Sequence, residues 1–302
     1  MKRLIATALL LLAAACTPPA ESTPKCPPPP PPPEPDHLAV VVGTIGKLHL
    51  AESRYPLAKL AEAMAVFKPD LVLVAARVDP FREDKLEDAS FEMTYVSWLA
   101  RAKGASVEPI DWFRFEDLAA PPAPVEPADE RGIEERETDL LRQPKLYTFE
   151  QANGLELSEK ILLAETSAVR HRAGDPLASR RRGWMQHLTA DATIRHGRPK
   201  KILAYVDVFD RPAVDMVLGG LGYTLRTPAD LLAKSKESLA GGELPADVIS
   251  AWRAELERAK AHASKASTPA ETQFWNERVK VLEIAIEKKG GCCVTQSVLN
   301  AR

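Results

Sequence analysis

The chain carries almost no net charge. Its 302 residues include 40 lysines and arginines and 42 aspartates and glutamates, which gives a formal charge of -2 at pH 7. A surface that binds nucleic acid or an anionic membrane by charge needs a basic excess, so the composition argues against nucleic acid as a partner. The sequence also lacks a nucleophile elbow, a P-loop and a dinucleotide-binding fingerprint, which disfavours the enzyme classes that depend on these motifs.

Long apolar runs are equally scarce, and the most prominent one lies at the N-terminus. Residues 4–12 are apolar but too few to span a bilayer as a helix, and they follow Lys2 and Arg3. This order is typical of a secretory signal. The next residues, Ala-Ala-Ala-Cys16, resemble the bacterial lipobox, in which a cysteine is acylated and becomes the mature N-terminus. A signal peptide cleaved after an Ala-x-Ala site is the alternative.

We therefore predict that residues 1–16 are a lipoprotein signal with lipidation at Cys16. Several palmitate-type acyl chains on one cysteine would anchor the protein firmly, so membrane lipid is the first predicted partner. Thr17 follows the cysteine where retention in the inner membrane favours aspartate. By resemblance to sorted bacterial lipoproteins, this predicts a lipid-anchored protein of the bacterial cell envelope, on the outer membrane and facing the periplasm.

Proline is concentrated in one segment. Residues 27–33 are an unbroken proline run, and further prolines extend the bias over residues 17–37. Proline fixes φ and lacks the amide proton, so the segment favours an extended spacer of about 3.1 Å per residue. We predict a disordered, proline-rich tether between the membrane and the domain.

The chain contains only four cysteines, and Cys16 is assigned to lipid. A bacterial envelope permits disulfides, so adjacent Cys292 and Cys293 would form a vicinal bridge, or one of them would pair with Cys26. Because three cysteines remain, at least one thiol is free or pairs between molecules. Adjacent cysteines without a nearby histidine lack the spacing of a zinc site.

Apolar runs and helical periodicities alternate after the tether. Apolar runs of strand length occupy residues 38–42, 71–74, 106–110, 201–208 and 223–226. Helical patterns occupy residues 55–67, 84–103, 132–142, 155–167, 175–196, 212–218, 247–263 and 268–289. Strands alternating with helices predict an α/β fold: an open, mostly parallel sheet flanked by helices, with a helical C-terminal extension. We place the α/β domain at residues 38–240 and a helical region packed on it at residues 241–302.

Three segments resemble a known family. They are GTIGKLHLAESRYPLAKLAEAMAVFKPDLVLV at residues 43–74, FEMTYVSWLARAKGASVEPIDW at residues 91–112, and RRGWMQHLTADATIRHGRPKKILAYVDVFDRPAVDMVLGGLGYTLRTP at residues 181–228. Together they resemble the TraB/Tiki type of α/β domain, which is related to erythromycin-esterase-like and ChaN-like proteins. The resemblance covers roughly residues 38–112 and 181–228.

The resemblance implies a metal-dependent hydrolase whose motifs are altered. Active relatives carry Gly-x-x-His after the first strand, a glutamate at the end of the second, and another Gly-x-x-His late in the chain. Here Gly46 to His49 has the first spacing three residues late, and Ala75 stands where the glutamate is expected. Asp207 and Asp210 are the polar residues where the second motif is expected. A domain without ordinary catalysis follows from these departures.

The remaining polar residues at predicted strand ends are candidates for a rebuilt site. His49, Glu92 and Asp210 are the candidate catalytic residues, and Arg77, Asp111, Asp207 and Arg181 are candidate ligand-binding residues. Asp79 is a further candidate for the same edge of the sheet. No cofactor is predicted; in the alternative, His49, Asp207 and Asp210 hold a divalent metal.

Each of these residues also has a purely structural interpretation. His49 would be a loop histidine bonded to a backbone carbonyl, Asp210 would cap the helix that follows it, and Glu92 would be an exposed helix glutamate. Arg180, Arg181 and Arg182, with Arg77, Arg170 and Arg172, would form an anion-binding patch or a solvated, ion-paired face. The acids of residues 130–139 would neutralise such a face.

Three functions follow from these patterns. The first is a lipid-anchored binding or scaffolding module on a degenerate hydrolase-like fold, with an envelope protein or glycan as its partner. The second is a metal-dependent, peptidase-like hydrolase with a site rebuilt around His49. The third is a structural envelope lipoprotein whose C-terminal helices bind a partner through an exposed apolar stripe. Burial of Trp252, Phe274 and Trp275 would argue against the third.

Overall fold

The computed structural model describes residues 36–115, 147–171, 176–233, 244–292, 294–295 and 299. All of them belong to one compact unit. The strands are β1 (Leu38–Thr44), β2 (Leu71–Arg77), β3 (Ser106–Asp111), β4 (Lys201–Asp207) and β5 (Thr224–Arg226). The helices are α1 (Ala58–Phe67), α2 (Val78–Arg82), α3 (Phe91–Ala102), α4 (Phe149–Asn153), α5 (Leu155–His171), α6 (Pro176–Arg195), α7 (Arg211–Gly220), α8 (Pro228–Ala233), α9 (Ala246–Ala263) and α10 (Pro269–Glu287). A 3₁₀ turn spans Gly46–Leu50.

The five strands form one open sheet in the order β3-β2-β4-β1-β5, and every pair is parallel. Strands of a parallel sheet are covered on both faces, which is why β1 and β4 are nearly continuous apolar runs. The predicted α/β class with an open parallel sheet and C-terminal helices is thereby confirmed.

Alternate residues of each strand serve the two faces of the sheet. On β1, Val40 and Val42 belong to the larger core, whereas Ala39 and Val41 belong to the smaller one. The larger core packs against α1, α3 and the C-terminal helices, and the smaller one against α6 and α7. This division follows from the two-residue repeat of side-chain direction along a strand.

The C-terminal helices are part of the larger core. Trp252 on α9 is fully buried, and its indole Nε1–H donates to the carbonyl oxygen of Phe91, at 2.9 Å. Trp275, Val281 and Leu282 on α10 are buried in the same cluster. The helical region therefore completes the hydrophobic face of the sheet. Across the described residues, we find no helix with the length and apolarity that crossing a membrane requires.

The helix predicted at residues 84–103 begins later than its apolar pattern indicated. Asp84 has a left-handed backbone (φ 57°), and α3 starts only after Ser90. A left-handed residue does not continue an α-helix, so residues 83–90 form turns that return the chain to the sheet edge. The C-terminal end of α3 was predicted correctly, because Gly104 follows the helix and has a left-handed backbone with φ 76°.

Other boundaries differ by smaller amounts. The predicted strands at residues 38–42, 71–74 and 106–110 continue by one to three residues, to Thr44, Arg77 and Asp111. Three short helices, α2, α4 and α8, were not predicted, because helices of five or six residues show little periodicity. The helix predicted at residues 132–142 lies outside the described residues.

The order of the strands creates a crevice between β2 and β4. The chain leaves β2 towards β3 on one side and leaves β4 towards β5 on the other. In open α/β sheets, ligands bind outside the carboxyl ends of the strands at such a reversal. The ends of β2, β3 and β4 are Arg77, Asp111 and Asp207, so three charged residues meet at this crevice.

Candidate functional site

A cavity of about 230 Å³ lies over the carboxyl ends of β1, β2, β3 and β4. Its charged lining consists of Arg77, Asp88, Glu92, Asp111, Arg181 and Asp207. Its remaining lining is small or apolar: Thr44, Gly46, Ala75, Ala89, Ser90, Met93, Phe113 and Phe274. Four carboxyl groups thus face two guanidinium groups in a small enclosed volume, which makes the site formally acidic.

Arg181 on α6 links two of the strand ends. Its Nε–H donates to Asp111 Oδ1 at 3.0 Å, and its Nη2 donates to Asp111 Oδ2 at 2.7 Å. Nη2 also lies 3.2 Å from Asp210 Oδ2, which forms a second ion pair. Burial alone would lower the pKa of Arg181, but the carboxylates of Asp210 and Asp111 outweigh it and raise the pKa. Arg181 therefore stays charged and occupies both acids.

Asp210 does not cap α7 in the way that the sequence predicted. It stands at the N-cap position, but its side chain makes no capping hydrogen bond and its backbone is helical (φ -89°, ψ -14°). The carboxylate faces Arg181 instead. Burial raises the pKa of Asp210, although the charge of Arg181 opposes this. The ion pair with a neighbouring helix has replaced the local cap.

Arg77 forms the opposite wall of the cavity. Its Nη1 donates to Asp88 Oδ2 at 3.2 Å, and its guanidinium lies 5.2 and 5.4 Å from the ring centres of Phe113 and Phe115. Stacking on aromatic rings holds a guanidinium in one orientation. Burial raises the pKa of Asp88 to about 6, although the charge of Arg77 opposes the shift. Arg77 is thus fixed by one acid and two rings.

Glu92 is the least satisfied polar group of the site. It lies in the first turn of α3, its side chain is fully buried, and it lines the cavity. Neither of its carboxylate oxygens has a hydrogen-bond partner among the described residues. The positive end of a helix compensates a nearby carboxylate only in part. The prediction of an exposed helix glutamate is therefore wrong, and Glu92 presents two unused acceptors to the cavity.

Asp207 ends β4 beside Glu92. Its Oδ1 accepts the backbone N–H of Phe209 at 2.9 Å. Burial and the neighbouring charge of Asp210 raise the pKa of Asp207 to about 7, and the charge of Glu92 adds to the shift. Asp207 is therefore the carboxyl group of this site that changes protonation nearest to neutral pH.

His49 lies outside the cavity lining, in the 3₁₀ turn that follows β1. Its Nδ1–H donates to the carbonyl oxygen of Tyr55 at 2.8 Å, and the Ile45 N–H donates to its Nε2 at 3.3 Å. These two bonds require the neutral imidazole with the proton on Nδ1. Burial lowers the pKa of His49, which favours the same form. His49 thus holds the turn together, as its structural interpretation predicted.

The turn containing His49 is part of a buried network around Gly43. Asn153 Oδ1 accepts the Gly43 N–H at 2.8 Å, and the Tyr55 hydroxyl donates to the Gly43 carbonyl oxygen at 2.7 Å. A Cβ at position 43 would lie 3.0 Å from the backbone of Val208, so any larger residue would require that backbone to shift. The network fixes the end of β1 and the direction of the loop that leaves it.

A second cavity of about 340 Å³ adjoins the first and shares Asp88, Ser90, Asp207 and Phe274 with it. It lies between the 3₁₀ turn and α10, whose Phe274, Glu277, Arg278 and Val281 line it. Arg278 is buried; it donates to the Glu87 carbonyl oxygen at 2.8 Å and to Glu255 Oε2 at 3.2 Å. These contacts attach the segment that carries Asp88 to the C-terminal helices.

The structure brings five of the predicted site residues to one cavity: Arg77, Glu92, Asp111, Arg181 and Asp207. Asp210 joins them through Arg181, whereas His49 and the exposed Asp79 do not line it. Among the described residues, no three histidine, cysteine, aspartate or glutamate side chains form a group that could hold a metal ion.

The arginine patch predicted on α6 is divided by the helix. Arg181 turns to the cavity, while Arg180 lines a separate surface groove with Trp184 and His187. The side chain of Arg170, the whole of Arg172 and the acids of residues 130–139 lie outside the described part of the structure. Ion pairing of Arg181 accords with the second of the two interpretations offered for this patch.

Sequence reasoning missed Asp88, Arg278 and Phe274. Asp88 was placed inside a helix, Phe274 was treated as a packing residue of the C-terminal region, and Arg278 was not singled out. The break at Asp84, which a Glu-Asp-Lys sequence permits as readily as a helix, was the one local signal for Asp88. No local pattern brings α10 to the ends of β1 and β4, since that depends on long-range packing.

Comparison with known proteins gave no relative. No protein-family model, no curated protein and no solved structure matches the chain.

Proposed function

We propose that the protein is a lipid-anchored binding module of the bacterial cell envelope, attached through acyl chains on Cys16. The observation that carries this proposal is the cavity at the ends of β1 to β4, into which Glu92 presents two buried acceptors without a partner. A buried, unsatisfied carboxylate is costly, and proteins keep such groups mainly where a ligand completes them. Its ligand is a small part of an envelope glycan or of an envelope protein.

The same geometry supports binding rather than catalysis. Both nitrogens of His49 are engaged by backbone groups, so the one histidine of the altered motif has no free lone pair to act as a base. Ala75 lines the cavity where the TraB/Tiki resemblance implies a glutamate. Asp111 is occupied by Arg181 through two hydrogen bonds. We therefore infer a hydrolase-like scaffold, as the resemblance implies, in which the histidine and the strand-end glutamate of the implied hydrolase are engaged or absent.

The proposal predicts a protein without metal or hydrolytic activity. Full-length protein, purified in detergent, is dialysed with Zn²⁺, Mn²⁺ or Co²⁺, and bound metal is measured by elemental analysis. We expect less than one equivalent of any metal and no turnover of fluorogenic peptides or chromogenic esters. Tight, stoichiometric metal binding that is lost in His49→Ala or Glu92→Gln, together with turnover, would overturn the proposal.

A metal-dependent hydrolase remains the second candidate function, and Glu92 is the observation that favours it. Glu92 presents two unused carboxylate oxygens to a cavity that Asp207 and Asp88 also line, and carboxylate oxygens are ligands for divalent cations. These three side chains do not form a metal-holding group in the described residues, so a metal would have to draw them together. In this candidate the metal would lie at Glu92 rather than at His49. The metal-binding experiment above separates the two, because only the hydrolase needs metal for its activity.

The third candidate, a structural lipoprotein with a partner-binding helical region, loses its motivating observation. Trp252 and Trp275 are buried in the core, and Phe274 packs against it. Among the described residues, the large exposed apolar side chains lie on α5, α6, α7 and β5 rather than on α9 or α10: Leu155, Leu163, Trp184, Ile194, Met216 and Leu225.

A further inference from the structure

We propose that the ligand of the cavity is a small organic cation, an amine whose ammonium group binds Glu92 and Asp207 while its carbon body lies against Phe113 and Phe274. The inference rests on the proposed binding function and names the chemical class of the ligand. Four observations support it: the charge balance of the lining, the hydrogen-bonding state of Glu92, the size of the cavity and the aromatic side chains beside the acids.

The charge balance favours a cation. Four carboxyl groups and two guanidinium groups line the cavity, so the carboxyl groups are in formal excess by two. Arg77 pairs with Asp88 and Arg181 pairs with Asp111, which leaves Glu92 and Asp207. Neither oxygen of Glu92 has a hydrogen-bond partner among the described residues, and the charges of Arg278 and Arg181 act on Glu92 and Asp207 without a direct ion pair to either acid in the described ranges. An anion would meet two unpaired carboxyl groups, whereas a cation would complete them.

The hydrogen-bonding state of Glu92 points the same way. A carboxylate accepts hydrogen bonds and donates none, and both oxygens of Glu92 are buried and unpartnered. An ammonium group carries three donors on one charged centre, so it could serve Glu92 and Asp207 at the same time. A hydroxyl group offers one donor and no charge, which would leave most of this requirement unmet.

The volume of the cavity indicates a cation that carries a carbon skeleton rather than a bare metal ion. The cavity of about 230 Å³ opens into the adjoining one of about 340 Å³, and Phe274 and Asp207 line both. A water molecule occupies about 30 Å³ of liquid, so a single ion would leave most of this space empty. The pair is large enough for a ring or short chain that extends from the ammonium group.

The aromatic side chains supply a surface for that body. Phe113 and Phe274 lie 6.0 Å apart between ring centres and both line the first cavity. Phenylalanine rings attract cations and pack against carbon, and the Arg77 guanidinium already lies 5.2 Å from the ring centre of Phe113. Leu48 and Val281 continue the apolar wall into the second cavity. The acids therefore define the charged end of the ligand, and the rings define its body.

Binding of matched amines and alcohols tests the inference. Full-length protein in detergent is titrated calorimetrically with benzylamine and glucosamine, and with their neutral counterparts benzyl alcohol and glucose. We expect each amine to bind at least about tenfold more tightly than its counterpart, which corresponds to about 1.4 kcal/mol. Glu92→Gln should abolish this preference. Ser97→Ala, on the same helix and also buried but outside both cavity linings, should leave it unchanged.

Two further measurements keep the outcomes distinct. Phe274→Ala should weaken benzylamine more than methylamine, since only the larger amine reaches the ring; circular dichroism establishes that each variant is folded. The outcomes separate the cation inference from the binding function. If neutral probes bind as tightly as the amines, the cation inference is wrong while the binding function stands. If Mn²⁺ or Zn²⁺ binds and no amine does, the metal-dependent candidate replaces both. If no probe binds, the cation inference fails and the binding function loses its support from this cavity.

Discussion

Arg181 and Asp111 face each other across the end of the sheet and share two hydrogen bonds, of 3.0 and 2.7 Å. This two-bonded arrangement is the strongest geometry for an arginine and a carboxylate. It joins α6 to β3, and through Asp210 it also joins α6 to the start of α7. The relationship makes Asp111 and Asp210 part of the architecture and leaves Glu92 and Asp207 as the cavity acids without an ion pair to Arg181.

Removing Arg181 should therefore destabilise the fold. Arg181→Met leaves Asp111 and Asp210, both buried, without their partner, and we expect the free energy of unfolding to fall by about 2–4 kcal/mol. Arg195→Met on the same helix is the control, because its ion pairs are exposed and contribute about 1 kcal/mol or less. Urea denaturation measures both. Equal losses in the two variants would contradict the role given to Arg181.

Replacing Glu92 should stabilise the ligand-free protein. Glu92→Met removes a buried carboxylate without partners, so we expect the free energy of unfolding to rise by about 1–3 kcal/mol. Thr94→Val on the same helix should act in the opposite direction, because the Thr94 hydroxyl donates to buried Glu255 at 2.7 Å. A loss of stability in Glu92→Met would mean that the carboxylate is already satisfied. Thermal and urea unfolding of both variants decide this.

Stability should fall as the pH rises towards neutrality. The pKa of Asp207 is raised from 3.8 to about 7 and that of Asp88 to about 6. Between pH 4 and these values the folded protein keeps protons that the unfolded chain has released, so stability is full at low pH and is lost as the pH rises. Because Asp207 is half-buried, we expect a loss on the order of 1–2 kcal/mol between about pH 5 and pH 7.5.

Asp207→Asn should flatten this pH dependence. Urea unfolding at intervals between these pH values is compared for the wild type, Asp207→Asn and Asp84→Asn, the last being a change of a largely exposed aspartate. The Asp84 variant should keep the slope of the wild type. A wild-type stability that increases over the same range would contradict the raised pKa of Asp207.

The C-terminal helices should be necessary for folding of the sheet. Trp252→Ala removes a fully buried indole and its hydrogen bond to Phe91, and we expect a loss of about 3–5 kcal/mol. Trp184→Ala, in which the residue is 42% exposed, should cost distinctly less, about 1–2 kcal/mol, because only part of its indole is buried. Chemical denaturation followed by far-ultraviolet circular dichroism measures both. A stable sheet in the Trp252 variant would show that α9 is only an appendage.

Membrane attachment should depend on Cys16. The predicted acyl chains are lost in Cys16→Ser, so we expect the protein to move from the detergent phase to the aqueous phase in Triton X-114 partition. Cys26→Ser, in the predicted tether, is the matched control and should remain in the detergent phase. Detergent partition that is unchanged by Cys16→Ser would leave the predicted lipid anchor without support.

The sheet could be predicted from sequence because its strands are buried on both faces. Runs such as Leu71 to Val74 have few other stable placements, so they indicated parallel strands without any knowledge of their partners. The start of α3 could not be predicted in this way. Residues 84–90 carry a helical apolar pattern, yet their conformation is set by the Arg77–Asp88 pair and the Arg278 contacts, which come from distant parts of the chain.

The candidate site was predictable to the extent that strand ends determine it. Asp111 and Asp207 follow buried strands directly, so parallel pairing brings them to one edge whatever the rest of the chain does. The role of His49 depends on which backbone groups its ring contacts. The sequence left two alternatives open for it, a catalytic base and a structural residue. Glu92 was a candidate catalytic residue whose structural interpretation was an exposed helix glutamate, and its own helix does not decide between the two, because the burial of Glu92 depends on long-range packing.

The two walls of the adjoining cavity belong to distant parts of the described chain. Leu48 follows the first strand, whereas Phe274 and Val281 belong to the last helix, and the Val294 N–H donates to the Leu50 carbonyl oxygen at 2.9 Å. Contacts between residues this far apart in sequence form slowly, because a long loop must close before they are made. The proposed binding site therefore needs α10 in place, and a chain that ends before α10 would lack the wall formed by Phe274 and Val281.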